Sequence, residues 1–78
     1  MIGKALKYMR KNKKLKQDVL AKQIGISQQN LSRYENEQRI ISFDTIEKIA
    51  NTCGYEIYFI HSKNKEKFKV EDLKRKDI

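Results

Sequence analysis

The sequence has 78 residues and a net charge of +8, which limits it to one small domain rich in lysine and arginine. Its single cysteine excludes an intramolecular disulfide, and one cysteine with one histidine provides too few ligands for a structural zinc site. The longest uninterrupted apolar run, residues 57–60, is far too short for a membrane-spanning helix or a signal-peptide core. We therefore expect a cytoplasmic protein without a metal or cofactor, stabilised by a second copy of the chain.

The positive charge is concentrated at the two ends of the chain. Residues 1–16 carry a net charge of +7, residues 17–60 carry −2 and residues 61–78 carry +3. Such segregation suits a polyanionic partner, either a nucleic acid or an anionic membrane surface. A basic composition also accompanies ordinary solubility, but the lack of an apolar membrane segment favours nucleic acid over a membrane.

The first part of the chain has the spacing of two amphipathic helices. In the first helix, apolar residues recur every three or four positions, at Ile2, Ala5, Leu6 and Met9. A second helix is predicted over residues 17–24, and its inward-facing residues are Leu20, Ala21 and Ile24. Gly25 can adopt the left-handed conformation that ends this helix, and Ile26 follows as the usual apolar contact.

Two further helices are predicted from caps and spacing. Ser27 can cap a third helix that runs to about Glu35, and Ser42 can cap a fourth helix that Gly54 ends. The third helix buries Leu31 and Tyr34 and exposes a polar outer face. That face consists of Gln28, Gln29, Asn30, Ser32 and Arg33.

Residues 55–60 are rich in aromatic and β-branched side chains and are predicted to form a strand. No second strand is predicted in the chain, so we expect the strand to pair with the same segment of a second subunit. The expected dimer interface is Tyr55, Ile57, Tyr58, Phe59 and Ile60. The alternative is that the segment packs on its own helices, with dimerisation elsewhere or only on DNA. The basic tail, residues 62–78, is expected to be mobile, with a possible short helix at 70–76.

Two short helices joined by a glycine turn, the second with a polar outer face, are typical of a helix-turn-helix, although an ordinary helical hairpin has similar spacing. Residues 17–36 resemble the Cro/repressor (XRE-type) helix-turn-helix family of lambda-repressor-like DNA-binding domains, and the similarity covers about residues 2–54. The resemblance implies a third helix in the major groove and a dimer on a two-fold symmetric operator. We therefore predict an all-α fold: a compact four-helix domain (1–54) followed by a short dimerising β-strand (55–61) and the tail (62–78).

The resemblance also implies roles for individual residues. Base contacts are expected from Gln28, Gln29, Ser32 and Arg33. A glutamine amide can bind adenine through two hydrogen bonds, and an arginine can bind guanine or a phosphate. Phosphate contacts are expected from Lys14, Lys16, Gln17, Asn30, Asn36 and Arg39. Arg10 and Glu35 match a pair that forms a buried salt bridge in this family.

Three positions depart from the family pattern. Lys16 stands where a capping serine or threonine is usual, Glu37 where glycine is usual, and Ile41 where proline is usual. The carboxylate of Glu37 is expected to face the DNA phosphates unfavourably, with Arg39 as compensation. Lys16 weakens the helix cap but adds a cation near the backbone.

The sequence therefore predicts a sequence-specific regulator of transcription that binds double-stranded DNA, most simply a repressor. The alternative is an antitoxin that binds a partner toxin protein and represses their shared operon. No arrangement of a nucleophile with a base is present, so we expect no enzymatic activity. His61 is interpreted as a surface residue and Cys53 as a small core residue.

Overall fold

The computed structural model describes residues 1–77, apart from the side chain of Arg75, so the last residue of the predicted tail, Ile78, lies outside the described chain. Its four helices are α1 (Ile2–Asn12), α2 (Gln17–Ile24), α3 (Gln28–Glu35) and α4 (Phe43–Thr52). Two short strands, β1 (Phe59–Ile60) and β2 (Lys67–Phe68), and a 3₁₀ helix (Val70–Arg75) follow. The predicted four-helix fold with a C-terminal strand is confirmed.

Helix α1 packs against α3 more closely than its apolar pattern indicates. Gly3, Leu6 and Arg10 are buried, whereas Ala5 is exposed. A Cβ atom at Gly3 would lie only 2.6 Å from the carbonyl oxygen of Glu35. The buried face of α1 is therefore shifted from the predicted apolar stripe, because only glycine permits this approach of the two backbones.

Local signals set the turn between α2 and α3. Gly25 has a φ of +81°, and its N–H and that of Ile26 both donate to the carbonyl of Ala21, at 2.9 and 3.0 Å. Ser27 then caps α3, since its hydroxyl oxygen accepts from the N–H of Asn30 at 3.0 Å. This glycine-terminated turn fixes the angle between the two helices.

The hydrophobic core lies between the four helices. Its largest fully buried side chains are Leu6, Leu20, Leu31 and Ile49. Ala21, Ala50 and Cys53 fill the remaining space, and Tyr34 packs against the cluster from its edge. Each helix thus contributes to one shared core, which holds α3 with its polar face outward.

The prediction that the strand at 55–60 has no partner in its own chain is wrong. β1 pairs antiparallel with β2, with Phe59 opposite Phe68 and Ile60 opposite Lys67. The strand is also shorter than predicted, since only Phe59–Ile60 enters the ladder. The turn folds back because the His61 N–H donates to the Glu66 carbonyl at 2.7 Å. The short helix predicted at 70–76 is present as the 3₁₀ helix.

No helix in the described chain has both the length and the apolar character needed to cross a membrane. Among the same residues, no group of histidine, cysteine, aspartate and glutamate side chains is arranged to hold a metal ion.

Candidate nucleic-acid interface

Helix α3 presents a polar surface to solvent. Leu31 and Glu35 are its buried residues. Of the four residues predicted to contact bases, Gln28, Gln29 and Arg33 are exposed and Ser32 is half-buried. Their donors and acceptors are therefore available to a partner that approaches α3 from outside the domain.

Below this surface, a buried ion pair joins α1 to α3. Nε of Arg10 donates to Oε2 of Glu35 at 2.6 Å, and Nη2 donates to Oε1 at 2.9 Å. The two residues are only 7% and 5% exposed. The hydrogen bond that Arg10 donates to Glu35 raises the pKa of Arg10. Nη1 of Arg10 donates to the Leu15 carbonyl at 2.8 Å. This two-bond pairing fixes the rotation of α3 relative to α1.

Gln17 belongs to the same network. Its side-chain amide donates to Oε1 of Glu35 at 3.1 Å, so residues of α1, α2 and α3 meet at one carboxylate. The side-chain amide of Gln17, which is predicted to contact a phosphate, is thus directed inward. Lys16 precedes α2 without a side-chain cap, and the N–H of Val19 donates to Oδ1 of Asp18 at 2.9 Å. The backbone N–H groups of Gln17 and Asp18 are therefore the donors at this end of α2 that a phosphate can reach.

The loop between α3 and α4, residues 36–42, contains two more of the residues predicted to contact phosphates, Asn36 and Arg39. The N–H groups of Glu37 and Gln38 donate to the carbonyls of Tyr34 and Arg33, which fastens the start of the loop to the end of α3. Nη1 of Arg39 donates to Oδ1 of Asn30 at 2.9 Å. The structure therefore brings Arg39 and Asn30 together, nine residues apart in sequence.

Glu37 adopts a left-handed backbone conformation of the kind that favours glycine. Its φ is +58°, and its carboxylate lies 2.7 Å from the amino group of Met1. That hydrogen bond, helped by the backbone of Lys4 and Gly3, lowers the pKa of Glu37. The carboxylate expected to face the phosphates instead contacts the start of α1, where an anion is favourable.

The other predicted phosphate contacts lie at the surface of the same domain. Lys14 and Lys16 are exposed in the turn between α1 and α2, and Lys14 has a φ of +61°. Asn36 is exposed at the end of α3, with its amide 3.4 Å from the Ser32 hydroxyl. These cations and amides border the exposed residues of α3 along the chain on both sides.

The residues predicted for the dimer interface differ in their exposure. Tyr55 is half-buried and its hydroxyl accepts from Nδ2 of Asn12 at 2.9 Å, and Ile57 is half-buried. Phe59 and Ile60 are 46% and 61% exposed. Stacked on Phe59 are the rings of Phe43 and Phe68, at centroid distances of 6.1 and 5.4 Å. We call Phe43, Phe59 and Phe68 the aromatic stack.

Sequence reasoning missed the links that depend on the packed structure. The Gln17–Glu35 and Arg39–Asn30 hydrogen bonds have no local signal, because each joins different elements. A third missed link is at Lys69, whose ammonium lies 3.2 Å from Glu56 and 2.9 Å from Glu71. These contacts raise the pKa of Lys69.

Comparison with known proteins agrees with this geometry. The family model for "helix-turn-helix" matches residues 6–60. Antitoxin PezA from Streptococcus pneumoniae serotype 4 is 38% identical over 72 residues, which are 92% of this chain and 46% of that protein. The chain thus spans about half the length of this curated relative. No solved structure matches the chain. With this match over more than half of its residues, the chain belongs to the helix-turn-helix family of DNA-binding regulators, of the XRE type.

Proposed function

We propose that this protein is a transcriptional repressor, without enzymatic activity, that binds a palindromic operator as a homodimer. The observation that carries the proposal is the exposed polar face of α3, with Gln28, Gln29 and Arg33 available above the buried Arg10–Glu35 pair. Amide and guanidinium groups on a helix of this exposure suit the base edges of the major groove. A repressor acts by occupying its operator, which requires no further activity from the domain.

The length of α3 favours two copies on DNA. Eight residues form a helix about 12 Å long, which spans only three to four base pairs at about 3.4 Å each. A site this short does not distinguish one operator from the rest of a genome. Two recognition helices about 34 Å apart, one turn of DNA, would double the site that is read.

An apolar surface near β1 supports the dimer. Phe59 is 46% exposed and stacks on Phe43, which is 37% exposed. Burial of such side chains in a second copy is favourable, at about 1.5–3 kcal/mol for each one fully buried. We therefore propose the aromatic stack as the subunit contact, in place of the longer paired strand expected from sequence.

Selection of bound sites from a random double-stranded library tests the DNA-binding proposal. We expect enrichment of two inverted half-sites whose centres are about one helical turn apart. Enrichment of a single half-site contradicts the dimer, and no enrichment contradicts sequence-specific repression. Sedimentation of Phe59→Glu, with exposed Tyr8→Glu on α1 as the matched control, locates the contact: only the first substitution should produce monomers.

The similarity to an antitoxin favours a second candidate function, in which the protein also binds a toxin and represses their shared operon. Co-expression with the product of the neighbouring reading frame tests it. We expect growth arrest by that product alone, relief of the arrest by this protein and co-elution of the two. If the neighbour is harmless or does not co-elute, this second candidate function is contradicted.

A further inference from the structure

The loop residue Arg39 is held against the recognition helix before any DNA is present. Its guanidinium reaches back to Oδ1 of Asn30 at 2.9 Å, in the first turn of α3. The backbone at the start of the loop is fixed as well, because the Gln38 N–H donates to the Arg33 carbonyl at 2.9 Å. Both the main chain leading to Arg39 and its side-chain tip are therefore positioned.

Asn30 is placed to hold a neighbour rather than to project outward. It is half-buried, whereas Gln28 and Gln29 before it are exposed. Its backbone N–H is fixed by the cap from Ser27 at 3.0 Å. Its side-chain oxygen thus extends from the capped first turn of α3 toward the loop.

The charge of Arg39 is available to an anion. Among the described residues, no carboxylate lies within ion-pair distance of Arg39, and the nearby loop acid Glu37 contacts the amino group of Met1 instead. A guanidinium has five N–H donors, and the bond to Asn30 occupies one of them. The remaining donors suit the planar, two-oxygen recognition of a phosphate.

We propose that Asn30 is a positioning residue that orients Arg39 toward a DNA backbone phosphate, and that it acts through Arg39 rather than as an independent phosphate contact. The inference rests on the proposed DNA-binding function and deepens it. An unbound arginine side chain has substantial rotamer entropy, and ordering it in advance removes that cost from the binding step. The two residues therefore function as one unit, shared by the recognition helix and the loop.

A double-mutant cycle tests the coupling. Wild type, Asn30→Ala, Arg39→Ala and the double variant are titrated with operator DNA and with random DNA. The cost of ordering one additional side chain during binding predicts about two- to tenfold weaker binding for Asn30→Ala on both DNAs. On the Arg39→Ala background the same substitution should have no further effect. The matched control pairs Asn30→Ala with Lys16→Ala, which lies on another element, and those two losses should multiply.

The salt dependence of binding is a second measurement. A purely structural role of Asn30 would not produce the difference in slope between the two variants that we expect here. Arg39→Ala should make the negative slope of log K against log salt shallower, by about one per protomer. Asn30→Ala retains the cation of Arg39, so the magnitude of its slope should decrease by less. If the losses from Asn30→Ala and Arg39→Ala multiply, Asn30 acts independently and the inference is overturned. If wild type binds no DNA, the proposed function fails as well, which is a distinct result.

Discussion

Gln28 and Gln29 are exposed at the start of α3, directly after the cap at Ser27. Their amides can each make two hydrogen bonds to the edge of an adenine, and the pattern of donors and acceptors on this edge differs between the four bases. A lysine, in contrast, contacts a phosphate whatever the base sequence. The same surface thus contains groups that discriminate between sequences and groups that only attract DNA.

Substitution of the glutamines separates these two classes. Gln28→Ala or Gln29→Ala should cost about 1–3 kcal/mol on the operator and much less on random DNA. Lys14→Ala and Lys16→Ala serve as controls that should weaken both complexes similarly. Fluorescence anisotropy at one fixed salt concentration measures all four. Equal losses on both DNAs for the two glutamine variants would mean that α3 does not read bases.

The Arg10–Glu35 pair predicts a large effect on stability. Arg10→Ala leaves the carboxylate of Glu35 buried without its main partner, which should cost about 3–5 kcal/mol of unfolding free energy. Denaturant titration followed by circular dichroism measures the loss. The control combines Arg10→Met with Glu35→Leu, which removes both charges and should recover much of the stability. A loss below about 1 kcal/mol for Arg10→Ala would show that the pair is dispensable.

The helices and the terminal hairpin differ in how far the sequence predicts them. Helix bounds follow from local signals, such as the caps at Ser27 and Ser42 and the positive φ of Gly25. The pairing of β1 with β2 depends on a polar six-residue turn, residues 61–66. The lysine-rich composition of this turn is also typical of a mobile tail. Phe68 is the one aromatic residue in that tail and is the signal that could have revealed the second strand.

The same distinction holds for the candidate site. The polar face of α3 follows from helical spacing, and the resemblance to a family implied the Arg10–Glu35 pair. The bonds of Asn30 to Arg39 and of Gln17 to Glu35 depend on how a loop and two helices pack together. No periodicity along the chain contains that information.

The attachment of the hairpin should depend on pH. A hydrogen bond from Lys69 lowers the pKa of Glu56, so the deprotonated form stabilises the folded hairpin. That contribution is present above the unfolded pKa and is lost as the pH falls through the lower, folded value. We expect the backbone amide shifts of β2 to move toward unfolded values below about pH 4.

Nuclear magnetic resonance titration of two variants checks this dependence. Glu56→Gln should remove the acid transition in β2. Glu66→Gln, in the turn of the same hairpin, is the control and should retain the transition. An unchanged titration in Glu56→Gln would mean that another group controls the hairpin.

The net positive charge of the molecule, rather than its shape, dominates its approach to DNA. The chain is 38 Å long in its largest dimension, and its net charge is +8. Glu35, Glu37 and Glu56 are each paired with a cationic group within the protein, whereas Lys14 and Lys16 are exposed. The exposed positive charge of Lys14 and Lys16 is thus available to displace counterions from DNA.

Binding should therefore weaken steeply with salt. If about six to ten phosphate contacts form across a dimer, affinity should fall about 10³-fold or more between 50 and 200 mM salt. A titration series on operator DNA measures the slope, with a variant lacking both Lys14 and Lys16 as the control, whose slope should be smaller. A nearly flat dependence would contradict the electrostatic account.

Cys53 makes the interior of this protein chemically observable. It is the single thiol of the chain, it is 5% exposed at the end of α4, and burial raises its pKa. A thiol-specific reagent requires the exposed thiolate, so it can react only when the four-helix core opens. The rate of labelling therefore reports how often the core opens. If operator DNA binds only the closed form, the labelling rate should fall in proportion to the fraction of protein left unbound.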